Sequence, residues 1–294
     1  MQLNLFEDNR PGILLNIADE YLHAGDLDQA VSVYDQILDE YPNNRPAKEL
    51  GTLVKTWRDR LAGVDPQTCT PEQLASLRSA LDHTVHPPLW RAVMEFILEA
   101  LGQFPVPDAV HLPPRFHRGQ LLMELKQYTE AGASFQQALA EPDLPWGRFL
   151  AWQADAMTMA GQGDDALALY LQAFLDDPST VEITSVRHAT IRKLHLSICL
   201  EDDCIEEEDE AAWLPVWGWL NDVFPLPLHG VPDPVLVDDE SAPVPRRWFA
   251  LLTRAEYLRT VNGDEREMVA VRRLLKRLHP ELFACYREKI RQTP

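Results

Sequence analysis

The chain has 294 residues, of which 46% are hydrophobic, and its 27 basic and 46 acidic side chains give a net charge of −19. This length and apolar content allow either one long repeat array or two modest domains. The negative charge argues against direct binding to nucleic acid or to an anionic membrane surface, because both would repel the molecule at long range.

The N-terminus and the cysteines indicate the compartment. Residues 1–11 predict a flexible tail, and this tail has no basic start followed by an apolar run, so no signal peptide is expected. No apolar stretch is long enough to span a membrane. Four cysteines, Cys69, Cys199, Cys204 and Cys285, are too few for a disulfide framework in a chain of this length. We therefore expect a cytoplasmic protein.

Apolar residues recur at steps of three and four along most of the chain, which predicts helices. Thr70 and Gln73 can form a capping box at the start of one of them, and Pro280 should interrupt the last one. The only candidate strand is the short run 235–237. The predicted helices cover 12–24, 27–40, 46–64, 71–83, 88–103, 183–200, 246–262 and 264–292.

One spacing occurs three times. A small residue is followed after twelve places by an alanine, then by a ring after four more, by a further core residue after three, and finally by a proline. The first step crosses a turn, which holds Gly25 in copy one and Gly161 with Gly163 in copy three, whereas copy two has Lys126 there. The copies are Ala18, Ala30, Tyr34, Ile37 and Pro42; Gly119, Ala131, Phe135, Ala138 and Pro142; and Ala154, Ala166, Tyr170, Ala173 and Pro178.

This pattern resembles the tetratricopeptide repeat (TPR), a helix–turn–helix unit of about 34 residues. The resemblance implies an all-α protein in which helical hairpins stack into a solenoid over residues 12–224. Residues 46–105 lack the signature and are either two degenerate hairpins or an insertion. A Pro-rich acidic linker, 225–245, and basic C-terminal helices, 246–294, should follow.

In TPR proteins the first helix of each hairpin lines a groove that binds a partner. Some members clamp a terminal carboxylate with basic residues, whereas Asp19 and Asp155 take such positions here. An amphipathic or basic partner segment therefore suits the groove. The alternative is that its Leu and Met side chains pack within the array. The implied groove residues are Leu15, Asp19, Leu22, Phe116, Gln120, Met123, Ala151, Asp155 and Met159.

The tail carries a second resemblance. Gln2, Leu3, Leu5 and Phe6 are similar to the short peptide by which bacterial proteins bind the replication sliding clamp. Such a peptide presents a polar anchor and an apolar pair to a pocket. This resemblance favours a bacterial source and a replication or repair accessory. The alternative is a hydrophobic tail folded over the first hairpin.

The C-terminal segment differs in charge from the rest of the chain. Residues 246–294 hold 12 Lys or Arg and 6 Asp or Glu, whereas the remainder holds 15 basic and 40 acidic residues. Two interpretations are open. The basic end can lie on the acidic body of the same molecule, or it can form a separate docking surface.

No catalytic motif is present, and we expect neither a cofactor nor a metal. His195, Cys199 and Cys204 lack the second pair of ligands that structural zinc needs. The tryptophan cluster, Trp213, Trp217 and Trp219, is interpreted as core, with ligand stacking as the alternative. The sequence thus predicts a non-catalytic protein-interaction scaffold or adaptor. The alternatives are a clamp-recruited accessory, or an enzyme or ligand-binding regulator with its site in 183–294.

Overall fold

The computed structural model describes residues 9–81, 86–201, 210–226, 241–261 and 263–292, which fold almost entirely into helices. The all-α prediction is therefore confirmed. The helices of these described ranges are α1 Arg10–His23, α2 Leu27–Glu40, α3 Arg45–Ala62, α4 Pro71–Ala80, α5 Pro87–Leu101, α6 Arg118–Glu124, α7 Tyr128–Ala138, α8 Trp146–Met159, α9 Gly163–Asp176, α10 Ala189–Glu201, α11 Glu210–Leu220, α12 Val244–Thr260, α13 Glu265–Leu278 and α14 Pro280–Gln292.

The chain divides into two compact units, Met1–Ser134 and Phe135–Pro294, and the division falls inside α7. The predicted bounds of the repeat array, the linker and the C-terminal helices stay predictions. None of the described helices is long and apolar enough to cross a membrane.

In the first unit, α1 and α2 form a hairpin, α3 packs on α2, and α5 packs on α1 and α4. Gly51 on α3 allows the close approach to α2, because a Cβ at this position would lie 3.0 Å from Cβ of Tyr34. The predicted capping box at the start of α4 is confirmed, with the Thr70 and Gln73 side chains each accepting the other's backbone N–H.

A short antiparallel ladder precedes α6 and was not predicted. It pairs β1, His111–Leu112, with β2, Phe116–His117. Strands of two residues are too short to produce the alternation from which a strand is recognised in a sequence. The candidate strand 235–237 lies outside the described residues.

In the second unit, α8 and α9 form a hairpin, and α11 packs on α9, α10 and α12. Trp248 of α12 is fully buried, and its Nε1 donates a hydrogen bond to the Leu275 carbonyl of α13 at 3.2 Å. The predicted interruption at Pro280 is confirmed, since α13 ends at Leu278 and α14 begins at Pro280. The helix predicted over 183–200 starts later, at Ala189, because a 3₁₀ turn occupies Ile183–Ser185; another 3₁₀ turn, Pro178–Thr180, precedes it.

The three repeat copies share one turn geometry. Gly25, Lys126 and Gly161 each have a positive φ, of 75°, 62° and 85° respectively. In each turn, the backbone N–H of this residue donates a hydrogen bond to the carbonyl three residues earlier. The N–H of the next residue donates to the carbonyl five residues before it, and the N···O distances are 2.9–3.1 Å. The alanine and the ring residue of every copy are fully buried. The three copies found in the sequence are thus equivalent hairpins.

Candidate functional site

The predicted groove positions lie on α1, β2, α6 and α8, and the structure separates them into two groups. Phe116, which was expected on the first helix of copy two, lies on β2, because α6 begins only at Arg118. Some are at the surface, either half-buried or, for Met159, exposed to 42%. The others are buried and serve the hairpins themselves. The surface group is Leu15, Asp19, Gln120, Met123 and Met159, and the buried group is Leu22, Phe116, Ala151 and Asp155.

Leu22 corrects the interpretation of α1. Its side chain is 0% exposed and belongs to the core of the first unit, together with Ala18 and Leu27. Leu22 follows Ala18 by one helical turn, so it lies on the face that packs inward. Phe116 belongs to the same core, and Ala151 belongs to that of the second unit. The burial of these three residues agrees with the alternative interpretation, in which their side chains pack within the array.

Asp155 is also internal, although its side chain is ionisable. It is only 6% exposed, and its Oδ1 accepts hydrogen bonds from the Tyr170 hydroxyl at 2.5 Å and from the Arg187 backbone N–H at 2.6 Å. It therefore ties α8 to α9 and to the segment that precedes α10. Burial and the adjacent Asp155 raise the pKa of Tyr170, which keeps its hydroxyl protonated as a donor.

Residues 177–188, the segment that precedes α10, lie along the side of α8 that was predicted to line the groove. The Arg148 backbone N–H donates to Thr180 Oγ1 at 3.0 Å, and Arg148 Nε donates to the Thr180 carbonyl at 3.2 Å. A Cβ on Gly147 would lie 1.9 Å from the Asp177 carbonyl oxygen, so only glycine fits there. The chain itself therefore occupies much of this side of the third hairpin.

An Asp–Tyr pair with a spacing of fifteen residues recurs in the first hairpin as Asp19 and Tyr34. Asp19 Oδ1 lies 3.5 Å from His86 Nε2 at the start of α5. The Tyr34 hydroxyl is fully buried and has no hydrogen-bond partner within the described residues. Burial and Asp19 raise the pKa of Tyr34 to about 12.

The second copy has Gln120 and Phe135 at the two positions of this pair, so both the acid and the hydroxyl are missing together. The sequence contains a fifteen-residue Asp–Tyr spacing in copies one and three. The assignment of both aspartates to a groove did not explain this spacing. Within the described residues, the pair is hydrogen-bonded in copy three, between Tyr170 and Asp155, and not in copy one.

A second buried polar group lies in the first unit around Asp108. The Ser134 hydroxyl donates to its carboxylate, and Arg118 lies 3.4 Å from both carboxylate oxygens. His117 Nδ1 accepts the Gly119 backbone N–H at 3.0 Å, so its Nε2 carries the proton and donates to the Asp108 carbonyl at 2.9 Å. Burial lowers the pKa of His117 to about 4. This group fixes the ladder against α6.

The second unit contains the residues that were considered from the sequence as alternative ligand or metal sites, and those that the structure describes are packed against other side chains. Trp213 and Trp217 are buried, and Lys289 Nζ lies 5.1 Å from the ring centre of the partly exposed Trp219. His195 Nε2 lies 2.5 Å from Glu210 Oε2. The Cys199 side chain and Cys204 lie outside the described residues. Within the described ranges, no three His, Cys, Asp or Glu side chains are grouped to hold a metal ion.

Family models place the hairpins in context. Residues 13–44 match a tetratricopeptide repeat model, and residues 113–141 match another. These two segments are tetratricopeptide repeats. The first match covers most of the α1–α2 hairpin, and the second covers α6 and α7. Comparison of the chain with curated proteins and with solved structures gave no match. TPR hairpins indicate that the partners of this chain are proteins.

Proposed function

We propose that this chain is a non-catalytic adaptor whose TPR hairpins bind a segment of a partner protein. The observation that carries the proposal is the pair of TPR matches on hairpins that share one turn geometry and bury the same alanine and ring positions. Repeat arrays of this kind create extended concave surfaces that bind partners.

The accessible groove positions support a partner of defined chemistry. In the first unit they combine apolar or thioether side chains, Leu15 and Met123, with the amide of Gln120 and the carboxylate of Asp19. An amphipathic helix or peptide with a cation next to its apolar residues complements this set. Flexible Met side chains adapt to the shape of such a partner. Met159 is the matching position on the α8–α9 hairpin.

The test starts by identifying the partner through affinity capture and mass spectrometry in the native cell. Binding of the purified partner is then measured. Met123→Lys should weaken it at least about tenfold, since a charge would replace a central apolar contact. Ile13→Lys is the control, because Ile13 is exposed to 54% on α1 but is not a groove position.

Thermal melts followed by circular dichroism must show that both variants keep the stability of the original chain. Equal effects of the two variants on affinity would contradict binding at the groove. An intact partner interaction in both variants would do the same.

A second candidate function rests on the tail. Gln2, Leu3, Leu5 and Phe6 support recruitment of a replication or repair accessory to a bacterial sliding clamp. These residues lie outside the described part of the chain, so the support comes from the sequence. The remaining alternative, an enzyme or ligand-binding regulator with its site in 183–294, is less favoured, because Trp213 and Trp217 are buried in the core.

A further inference from the structure

One face of α13 carries four cations. Arg266, Arg273, Lys276 and Arg277 are all exposed. At 100° per residue they fall within an arc of about 100° on the helix, with Val269 on the same arc. Val269 is exposed to 48%. We call these five residues the α13 basic face.

The cations of the α13 basic face have no acidic partner among the residues that the structure describes. None of the four makes an ion pair within the described residues, whereas their neighbours do. Arg254 pairs with Glu267, Arg259 pairs with Glu256, and Lys289 pairs with Asp222. Among these pairs, only Lys289–Asp222 joins the basic C-terminal segment to the rest of the chain. The acidic body therefore does not neutralise the α13 basic face in the described structure.

Helix stability explains only part of this arrangement. Lys276 and Arg277 lie in the last turn, where cations interact favourably with the helix dipole. Arg266 lies in the first turn, where a cation is unfavourable, and Arg273 lies in the middle. Solubility does not require these charges either, because the chain already carries a net charge of −19.

The opposite face of α13 holds it in place. Val271 and Leu275 are buried in the core of the second unit, and the Leu275 carbonyl accepts the Trp248 Nε1–H. The apolar side of this amphipathic helix is thus already used. Its basic face is presented from a fixed helix, so little backbone conformational entropy is lost when a ligand binds to it.

We propose that the α13 basic face is a second docking surface, and that its ligand is an acidic segment of a partner protein with an apolar side chain between its carboxylates. The four cations complement the carboxylates, and Val269 lies between Arg266 and the other three cations to contact the apolar side chain.

A nucleic acid fits this face less well. Proteins that bind nucleic acid commonly neutralise about 6–10 phosphates, whereas this face offers four cations over roughly 16 Å of helix. The net charge of −19 further opposes a densely charged polyanion.

The experiment uses the full chain and measures fluorescence anisotropy. The probe is a labelled synthetic helical peptide with four glutamates on one face and a leucine between them. Two comparison probes are the same peptide with glutamine for glutamate, and a short DNA duplex. We expect the acidic peptide to bind, with an affinity that falls as salt rises, and both comparison probes to bind at least about tenfold more weakly.

Charge reversal locates the site. Arg273→Glu with Lys276→Glu should weaken peptide binding about tenfold, because two attractions become repulsions. The matched control is Arg287→Glu with Arg291→Glu, which makes the same change in net charge at exposed positions of α14. Val269→Ser should weaken binding a few-fold. Circular dichroism melts verify that each variant is folded.

Several results would overturn the proposal. Equal losses in the two double variants would show a long-range charge effect in place of a site. Tighter binding of the DNA duplex would assign the face to nucleic acid. Binding that appears only after Glu206, Glu207 and Glu208 are changed to Gln would show that the acidic run of the chain itself covers the face. Absence of peptide binding to both the original chain and this triple variant would also refute it.

Discussion

At the scale of single residues, the carboxylate of Asp155 joins parts of the second unit that are distant in sequence. One oxygen accepts bonds from Tyr170 on α9 and from the backbone of Arg187. Hydrogen bonds to a charged acceptor are stronger than neutral ones, and a buried donor left without its partner is costly. The corresponding pair in the first hairpin, Asp19 and Tyr34, lacks the hydroxyl bond. The two hairpins therefore provide a matched comparison.

Tyr170→Phe should lower the free energy of unfolding by about 1–2 kcal/mol, because it removes a buried bond to a carboxylate. Tyr34→Phe should change it by less than about 0.5 kcal/mol, or raise it, because the buried Tyr34 hydroxyl has no hydrogen-bond partner in the described part of the chain. Urea denaturation of the two variants measures both values. A larger loss for Tyr34→Phe would contradict the assigned hydrogen bonds.

His117 makes stability depend on pH. Its folded pKa, about 4, lies below the ordinary value of 6.5, so the unfolded chain takes up a proton first as the pH falls. The contribution of His117 to the free energy of unfolding is fully present above pH 6.5. It decreases by an amount on the order of 3 kcal/mol as the pH falls to about 4. Urea denaturation between these pH values measures the loss.

NMR titration of the imidazole provides an independent check on the cause. The His117 resonances of the folded protein should titrate near pH 4, since Nδ1 accepts the Gly119 N–H and cannot take a proton without breaking that bond. A midpoint near 6.5 would show that His117 is not held neutral by burial.

At the scale of elements, the hairpin turns explain how the second copy works without its glycine. Lys126 adopts a φ of 62°, in the region that Gly25 and Gly161 reach without a Cβ penalty. No other atom within 4 Å would oppose a Cβ on Gly25 or Gly161, so backbone conformation alone disfavours a side chain there.

Lys126→Gly should therefore stabilise the protein by about 0.5–1 kcal/mol, and Gly25→Ala should destabilise it by about 1 kcal/mol. Lys126→Ala is the control for loss of the lysine side chain, and it should leave stability nearly unchanged. Thermal unfolding of the three variants ranks them. An equal gain from Lys126→Ala and Lys126→Gly would place the effect in the side chain and not in the turn.

Most of the elements could be predicted because their signals are local. The Thr70 cap, the Pro280 break and the three alanine–ring spacings each depend on a few residues, and all appear in the structure. The groove residues were harder to predict. The spacing in the sequence does not show whether a residue one helical turn from a core residue faces inward or outward. Leu22 and Asp155 were therefore assigned to a groove, although the chain buries both through contacts with segments distant in sequence.

At the scale of the whole molecule, charge separates an acidic majority of the chain from a basic end. Ion pairs within the described residues neutralise part of that end, through Arg254, Arg259 and Lys289, and leave the α13 basic face available. In our proposals, the groove with its apolar and acidic positions binds a basic or amphipathic partner, whereas the α13 basic face binds an acidic one. Two surfaces of opposite preference are what an adaptor needs to bring two different proteins together.

The tail adds a third proposed contact, which a synthetic peptide covering residues 1–10 can test. If residues 2–6 are a clamp ligand, this peptide should bind a purified bacterial sliding clamp with a Kd on the order of micromolar, because a short peptide buries little surface and loses entropy when it becomes ordered.

Leu5→Ala with Phe6→Ala should abolish binding of this peptide, since the pair supplies most of its apolar contact. Asn4→Asp should retain or improve it, because the clamp peptides that the tail resembles favour Ser or Asp at the centre. In the full chain, the Leu5 and Phe6 changes should leave the free energy of unfolding unaltered. The opposite pattern, no peptide binding together with a loss of stability, would mean that Leu5 and Phe6 serve the fold and that the resemblance to a clamp ligand is accidental.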